Sequence, residues 1–396
     1  GSDMELVKQH LSNTYGYDPG SYNDYPADES NRKLMARIDW NINDANKLSL
    51  RYNYTKNQAW STTNGNSTDA GFRNRAMDRI SQYSMAFSNS IYSMDNIVNS
   101  VSLDLNSRIS DKFSNQFLTT FSKIQDIRGS NSEPFPFVDI KKDGDQYISF
   151  GYELFSWNNK VTNNTYSFID NFTYNSNKHT LTAGVAFDYM YVGNSFMRYG
   201  SSYYRFDSLS QFLNNMQPSV YAVTYGYNNE LNPVAELGFG QAAAYVQDEF
   251  RLNKNLKLIG GLRLDLPIYF TEPLANAGFD KYRDANAPVF KNPSNEDYMY
   301  DPSKWPTAGA LISPRIGFNY DVKGDKSTVV RGGTGIFTGR LPFVWYTNQP
   351  TNAYGLQSTL EITKKADLDK YGITQFEADP TAYLNQFPTE PGSLPA

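Results

Sequence analysis

The chain has 396 residues, a formal net charge of −5 and no cysteine, which excludes disulfides, thiol catalysis and thiolate metal sites. The acidic balance argues against a nucleic-acid partner, because phosphate binding needs a basic surface. With only two histidines, His10 and His179, neither a histidine-based zinc site nor a Ser-His-Asp triad is expected. No long apolar run is present, which excludes a transmembrane helix but not a spanning strand, whose side chains face lipid only at alternate positions.

The first four residues, Gly1–Met4, look like the remnant of a fusion tag. Beyond them, apolar residues recur at every second position, which predicts β-strands rather than helices. The alternation is clearest in five stretches: 34–42, 47–55, 179–191, 256–266 and 315–322. Each has about the ten residues that a tilted strand needs to cross a bilayer.

Two kinds of connection alternate along the chain. Short polar turns are predicted at Asn43–Asn46, Ser110–Lys112, Asn175–Lys178, Asn253–Asn255 and Lys323–Lys326. Long stretches rich in Tyr, Asn, Ser, Gly and Pro lie between them, at 57–78, 125–162, 193–239, 268–311 and 339–396. This alternation predicts an all-β, antiparallel up-and-down transmembrane barrel, with short periplasmic turns and long extracellular loops.

Two similar segments, Ile169–Asn175 and Gln247–Asn253, each lead into a return strand with alternating apolar residues. In strict alternation Asp170 and Asp248 fall on the apolar face, where a carboxylate is costly at mid-depth and tolerated near the rim. Either a bulge or a rim position would remove the conflict. A soluble β-sandwich also alternates, but its strands are shorter and its turn signals recur about every 8–12 residues.

Several segments resemble the barrel of TonB-dependent outer-membrane receptors: Tyr245–Asp265, Ser313–Phe318 and Val330–Arg340. The stretch Tyr15–Asn57 and the segment Phe135–Asp139 are similar to the Oar-like branch of that family. The resemblance implies a barrel of about 22 strands, plugged by an N-terminal domain that a TonB box precedes. We expect the sequence to lack the plug, the box and the C-terminal strands.

The five tight turns imply ten strands, or up to twelve if an extra pair extends above the bilayer. Residues 1–396 are therefore expected to form about half of such a barrel, with 339–396 as a long extracellular loop. Alone, the sheet could not close and its two edges would stay unpaired. Short helices are expected within 208–216 and 362–387.

Motifs that suggest catalysis or metal binding do not fit their chemistry. The glycine-rich run Arg331–Arg340 matches neither phosphate-loop spacing, so closely packed strand glycines are expected. Asp139–Tyr147 lacks the closing acid of a calcium loop, which favours a hairpin tip. Asp248 and Glu249 are adjacent and point to opposite strand faces, unlike a glycosidase pair. We expect no enzyme activity, no metal and no cofactor.

Two groups of residues are candidates for function. The polar strand face carries residues predicted to line the lumen, either as a lattice against a plug or as a substrate path: Arg51, Arg263, Asp265, Arg315 and Arg331. The long loops contain predicted ligand-binding residues: Trp157, Tyr203, Tyr204, Arg205, Tyr225, Tyr227, Trp345 and Tyr346. Aromatic residues with Arg anchor ligands, although loop packing or an interfacial girdle would also use them.

The resemblance implies TonB-energised import of a nutrient across the outer membrane of a Gram-negative bacterium. Peptides or other large organic molecules are the expected substrates, and siderophores and glycans are the alternatives. The implied partners are outer-membrane lipid, TonB through the missing plug, and a surface lipoprotein. The competing hypothesis is a soluble or surface-attached β-rich binding protein, such as an adhesin.

Overall fold

The computed structural model describes residues 2–65, 79–274, 289–299, 301, 303–306, 308–339, 342–352 and 355–389. In chain order the strands are β1 (Glu29–Asn43), β2 (Asn46–Ser61), β3 (Met85–Ala86), β4 (Tyr92–Arg108), β5 (Phe113–Ser130), β6 (Phe137–Lys142), β7 (Asp145–Phe150), β8 (Asn159–Asn175), β9 (His179–Ser195), β10 (Tyr203–Phe206), β11 (Val220–Gly226), β12 (Ala235–Arg251), β13 (Leu256–Tyr269), β14 (Phe290–Lys291), β15 (Asp297–Tyr298), β16 (Leu311–Asp321), β17 (Val329–Gly335) and β18 (Gln357–Ile362).

The α-helices of the described residues are α1 (Ser2–Tyr15), α2 (Leu209–Leu213), α3 (Phe343–Asn352) and α4 (Lys365–Lys370). Single 3-10 turns occur at Ser88–Ser90, Tyr227–Asn229 and Leu384–Gln386. The helices expected within 208–216 and 362–387 are thereby confirmed as α2 and α4, whereas α1 and α3 were not predicted. No helix in this part of the chain is long and apolar enough to span a membrane.

Ten long strands form one antiparallel sheet, which we call the wall, in the order β1-β2-β4-β5-β8-β9-β12-β13-β16-β17. The five predicted tight turns join β1–β2, β4–β5, β8–β9, β12–β13 and β16–β17. Because each pair is antiparallel, all five turns lie at one end of the wall and the long connections lie at the other. The predicted half barrel is confirmed, with β1 and β17 as its two edges.

The two faces of the wall differ in polarity. Cross-strand partners on one face are apolar: Val185 opposes Ala244, which opposes Leu264, and the other residues of this face follow the same register. We call this the apolar face, and its side chains stay exposed, to 57% at Val185. The opposite, polar face carries Asp188 and Asp265. A one-residue slip would exchange the faces, so the unbroken register confirms the predicted alternation.

Asp170 and Asp248 both belong to the apolar face. Pairing is continuous through both residues, so no bulge turns them towards the polar side. Both lie near the turn end of their strands. Asn115 Nδ2 donates to Asp170 Oδ1 at 2.6 Å, and His179 Nδ1 lies 2.7 Å from Asp248 Oδ2. The rim position, one of the two alternatives left open by the sequence, is therefore the one observed.

Described segments of the long connections fold into a second body, which we call the loop layer, whereas the connection between β13 and β16 contains the separate two-stranded sheet β14–β15. The six-stranded sheet of the loop layer has the order β18-β11-β10-β6-β7-β3, and the β6–β10 and β3–β7 pairs are parallel. Helices α1, α2 and α4 contribute to one buried core with this sheet, which includes Leu11, Phe150, Phe212, Leu368 and Phe376. The loops thus form a packed unit, which the alternation in the sequence did not predict.

Residues 2–4, expected to be a tag remnant, form the first turn of α1. Met4 is buried in the core of the loop layer, and Asp3 accepts a hydrogen bond from the Tyr147 hydroxyl at 2.6 Å. These residues therefore contribute to packing. Arg340 and residues 390–396 of the last predicted loop lie outside the described residues.

The two glycine-containing motifs occupy strands and turns. The segment Asp139–Tyr147 lies in the β6–β7 hairpin, as predicted, and Asp143 and Gly144 adopt positive φ in its turn. The glycine-rich run is the edge strand β17, where a Cβ on Gly333 would lie 3.0 Å from the Ile316 carbonyl oxygen. Close strand packing therefore accounts for that glycine.

Candidate functional site

The polar face of the wall carries charged side chains that are hydrogen-bonded to one another. Asp265 is almost fully buried, and its carboxylate accepts hydrogen bonds from Arg263 at 2.8 and 2.9 Å and from Gln241 at 2.7 Å. On β1, Arg37 donates to Asp39, also at 2.8–3.1 Å. These charge-assisted bonds satisfy groups that a barrel interior would otherwise leave unpaired.

The aromatic side chain of Tyr245 contacts both Asn171 and Arg263 on the polar face. The Tyr245 hydroxyl donates to Asn171 Oδ1 at 2.5 Å, and the Arg263 guanidinium lies 5.3 Å from the centre of the Tyr245 ring. The ring lies over Gly184, where a Cβ would come within 2.4 Å of it. Glycine at position 184 therefore allows Tyr245 to lie flat across the wall.

All five predicted lumen residues fall on the polar face, but the structure brings only one pair of them into contact. Arg263 and Asp265 form the ion pair described above. Arg51 opposes Arg37 across the β1–β2 ladder, and Arg331 opposes Asn319 on β16. The side chain of Arg315 crosses the space above Gly261. Their role in lining a lumen stays a prediction.

Two of the predicted ligand residues, Tyr203 and Tyr204, are buried in the loop layer. The Tyr203 hydroxyl donates to Asp139 Oδ2 at 3.0 Å. The Tyr204 ring makes edge contacts with Tyr221 and Phe376, with centroids 5.1 and 4.9 Å apart. A ligand could touch these two rings only if the loop layer opened, so packing is their role in this conformation.

A cleft of about 270 Å³ brings two other candidates together. Trp157, Tyr225, Glu230 and Asn385 line it. The remaining lining residues come from β11, from the loops after β9 and β11 and from the segment after α4: Met197, Gly200, Thr224, Gly226, Leu231, Thr381, Leu384 and Thr389. Trp157 packs closely on Gly200, where a Cβ would lie 2.5 Å from the indole. An indole, a carboxylate and an amide thus border one concave surface.

The other loop candidates are placed apart from this cleft or beneath its surface. Tyr227 is buried beside Tyr225, with ring centroids 6.4 Å apart. Arg205 Nε donates to Ser219 Oγ at 3.1 Å and lies 3.5 Å from Asp207. These contacts stabilise the β10–β11 hairpin.

Helix α3 carries the last two candidates and packs on the loop end of the polar face. Tyr346 is buried there against Met190 and Phe239, and its hydroxyl lies 3.2 Å from the Tyr269 hydroxyl. The adjacent Trp345 is 66% exposed. The helix therefore presents one indole at the mouth of the half barrel.

Sequence reasoning missed a buried ion pair at the centre of the loop layer. Arg79 and Asp139 are both fully buried, and the guanidinium donates to the carboxylate at 2.8–3.2 Å. Gln146 and Ser149 also donate to Asp139, at 2.9 and 2.6 Å. The available signal was an acid directly after the apolar run Phe135–Val138, where burial requires a partner.

A second charged pair connects the loop layer to the wall. Arg128, near the end of β5, donates to Glu153 at 2.7 and 3.1 Å. Its guanidinium also lies 3.6 Å from the centre of the Tyr92 ring. Because Arg128 belongs to the wall and Glu153 to a long connection, this pair fixes one body against the other.

Two tyrosines of the loop layer, Tyr17 and Tyr225, are held in their neutral form by burial. Burial raises the pKa of Tyr17 to about 12, and its hydroxyl lies 2.6 Å from Ser132 Oγ. Burial likewise raises the pKa of Tyr225 to about 12. Such phenols are poor bases and nucleophiles at neutral pH. Within the described residues, no group of three or more His, Cys, Asp or Glu could hold a metal ion.

A family model described as "Outer membrane beta barrel domain" matches residues 7–396. The chain belongs to this family. It is located in the outer membrane of a Gram-negative bacterium, so the hypothesis of a soluble protein is wrong. The wall crosses this membrane, with its tight turns towards the periplasm and the loop layer outside.

Solved outer-membrane proteins are similar to the chain over about three quarters of its length. The outer membrane transporter YddB from Escherichia coli has a TM-score of 0.48 and 11% identity, covering 78% of this chain and 31% of that one. The copper transporter OprC has a TM-score of 0.44 and 12% identity, covering 78% of this chain and 36% of that one. The ferric-catecholate import receptor Fiu from E. coli, in its closed form, has a TM-score of 0.42 and 11% identity, covering 76% of this chain and 43% of that one.

The chain therefore spans from 31% to 43% of the length of these solved proteins. No curated protein matches it.

Proposed function

We propose that the wall is part of a TonB-dependent importer of the Oar-like branch, and that its loop layer binds the nutrient outside the cell. The observation that carries this proposal is the contrast between the two faces of the wall. A face of bonded charges such as Arg263–Asp265 opposes a face of exposed aliphatic side chains. This contrast supports a wide barrel with a polar interior.

Three cations of the polar face are proposed to contact a plug or a passing substrate. Arg51, Arg315 and Arg331 form no ion pair within the described residues. In the intact protein such cations would attract carboxylates of a plug domain, through which TonB would act. A lattice of this kind would hold the plug in place until it is pulled.

The cleft at Trp157 is proposed as the first contact for the nutrient, with the exposed Trp345 on α3 as a second contact at the mouth. Among the described residues that line the cleft, Glu230 is the one with a charged side chain, a carboxylate. A carboxylate beside an indole favours neutral or amino-bearing organic groups. This supports peptides or other large organic substrates. A surface lipoprotein is the proposed partner for their delivery.

Uptake by intact cells tests the proposal. Cells that produce the intact protein should take up a tritiated tryptic digest of casein, and a protonophore or deletion of TonB should abolish uptake. Trp157→Ala should lower uptake about tenfold, since a truncated aromatic anchor costs more than 1 kcal/mol.

The control variant is Tyr83→Ala, which truncates an exposed aromatic residue outside the cleft and should leave uptake unchanged. Uptake that persists without the proton gradient would contradict energised import. Uptake that is equal in Trp157→Ala and the parent protein would contradict the proposed role of the cleft.

A further inference from the structure

A groove of about 600 Å³ lies on the apolar face near the turn end of the wall. Its side nearest the turns is lined by Phe250, Leu258 and Phe318. Ile316 lines its side nearer the loop end of the wall. Gly260 lies at its centre, and a Cβ added there would have no atom within 4 Å. The missing side chain therefore leaves a depression between β12 and β16.

The groove contains one carboxylate, that of Asp248. Its Oδ2 lies 2.7 Å from His179 Nδ1, whereas its Oδ1 has no hydrogen-bond partner among the described residues. The His179 ring in turn stacks on Phe250, with centroids 4.6 Å apart. A carboxylate on a lipid-facing surface is costly unless a positive group compensates it.

Asp170, the other apolar-face carboxylate near the turn end of the wall, differs from Asp248 in its surroundings. Asp170 Oδ1 accepts a short hydrogen bond from Asn115, and Asp170 does not line the groove. The two acids therefore occupy the same face at the same end of the wall, but only Asp248 borders a space that a ligand could fill.

We propose that this groove binds the headgroup of a phosphatidylethanolamine molecule from the periplasmic leaflet of the outer membrane. The primary ammonium lies beside the Asp248 carboxylate and over the Phe250 and Phe318 rings, and an acyl chain follows the apolar face towards Leu262. Carboxylates and aromatic faces are the groups that attract an ammonium ion. The turn end of the wall is the level at which such headgroups lie.

Competition between lipids tests this proposal. The intact protein is reconstituted in vesicles of equal parts dioleoyl-phosphatidylethanolamine and dioleoyl-phosphatidylglycerol, and retained lipids are quantified by native mass spectrometry. We expect about threefold enrichment of phosphatidylethanolamine over the bulk ratio, the preference that a partly exposed ion pair supplies. Replacing phosphatidylethanolamine by phosphatidylcholine should remove the enrichment, because choline has no N–H donor.

Three variants separate the groove from the rest of the face. Asp248→Asn removes the charge and Gly260→Leu fills the depression, so both should abolish the enrichment. Asp170→Asn removes a carboxylate outside the groove and should retain it. Heat-modifiable migration reports whether each variant is folded.

The proposal would be overturned if the parent protein retained the two lipids in the same ratio as the bulk vesicle. Enrichment that survives both Asp248→Asn and Gly260→Leu would also overturn it, as would equal retention of phosphatidylcholine. The phosphatidylcholine exchange uses the parent protein, so the test stands even if a variant fails to fold.

Discussion

Replacing Asp139 by alanine should destabilise the loop layer by about 3–5 kcal/mol, the usual cost of leaving one partner of a buried ion pair alone. The Arg79 guanidinium would remain fully buried without its carboxylate. The Tyr203 hydroxyl and the Gln146 amide would lose an acceptor at the same time. A loss of this size approaches the total stability of many domains, which is about 5–15 kcal/mol.

The measurement is urea-induced opening of the loop layer in the intact protein, followed by limited proteolysis. Asp369→Ala is the matched control, because it breaks an exposed ion pair with Lys365 and should change little. Replacing both partners, by Arg79→Met with Asp139→Leu, should recover part of the loss. Equal protease resistance of Asp139→Ala and the parent protein would contradict a structural role for the pair.

Placing an arginine on the apolar face should prevent assembly. Leu262 lies at the middle of β13 and is 50% exposed on that face. Leu262→Arg should cost about 2–4 kcal/mol, the value for a cation at mid-bilayer on the lipid side of a barrel. Fractionation of cells should show a correspondingly low yield of the intact protein in the outer membrane.

The matched control is Gln247→Arg. Val246 is the cross-strand partner of Leu262, so Gln247 lies at nearly the same depth but on the polar face. An arginine there meets polar groups, and the yield should remain close to that of the parent protein. Equal yields of the two variants, whether high or low, would contradict a difference between the faces.

The wall could be predicted from the sequence because strand periodicity is local. Side chains alternate with a period of two, so Leu262 and Arg263 must face opposite sides wherever the strand lies. The tight turns are likewise encoded by short polar segments such as Asn253–Asn255. Ten strands, their order and both faces follow from these local rules.

The loop layer could not be predicted because its contacts join distant segments. Arg79 pairs with Asp139, 60 residues further along the chain, and β10 runs parallel to β6 rather than forming a hairpin with it. Composition alone does not distinguish a tyrosine that packs from one that binds a ligand. Tyr204 and Trp345 illustrate this: both occur in aromatic loop segments, but Tyr204 is buried and Trp345 is exposed.

The measurement that tests the central claim most directly is the accessibility of spin labels along β9 in lipid vesicles. The chain has no cysteine, so single cysteines can be introduced without background at each position from 181 to 188 of the intact protein except Gly184, on which the Tyr245 ring packs. Labels at 181, 183, 185 and 187 should collide readily with oxygen and rarely with a water-soluble nickel chelate, because they face lipid. Labels at 182, 186 and 188 face the polar side and should not combine high oxygen collision with low nickel collision. Oxygen accessibility without a two-residue period would contradict a lipid-facing wall.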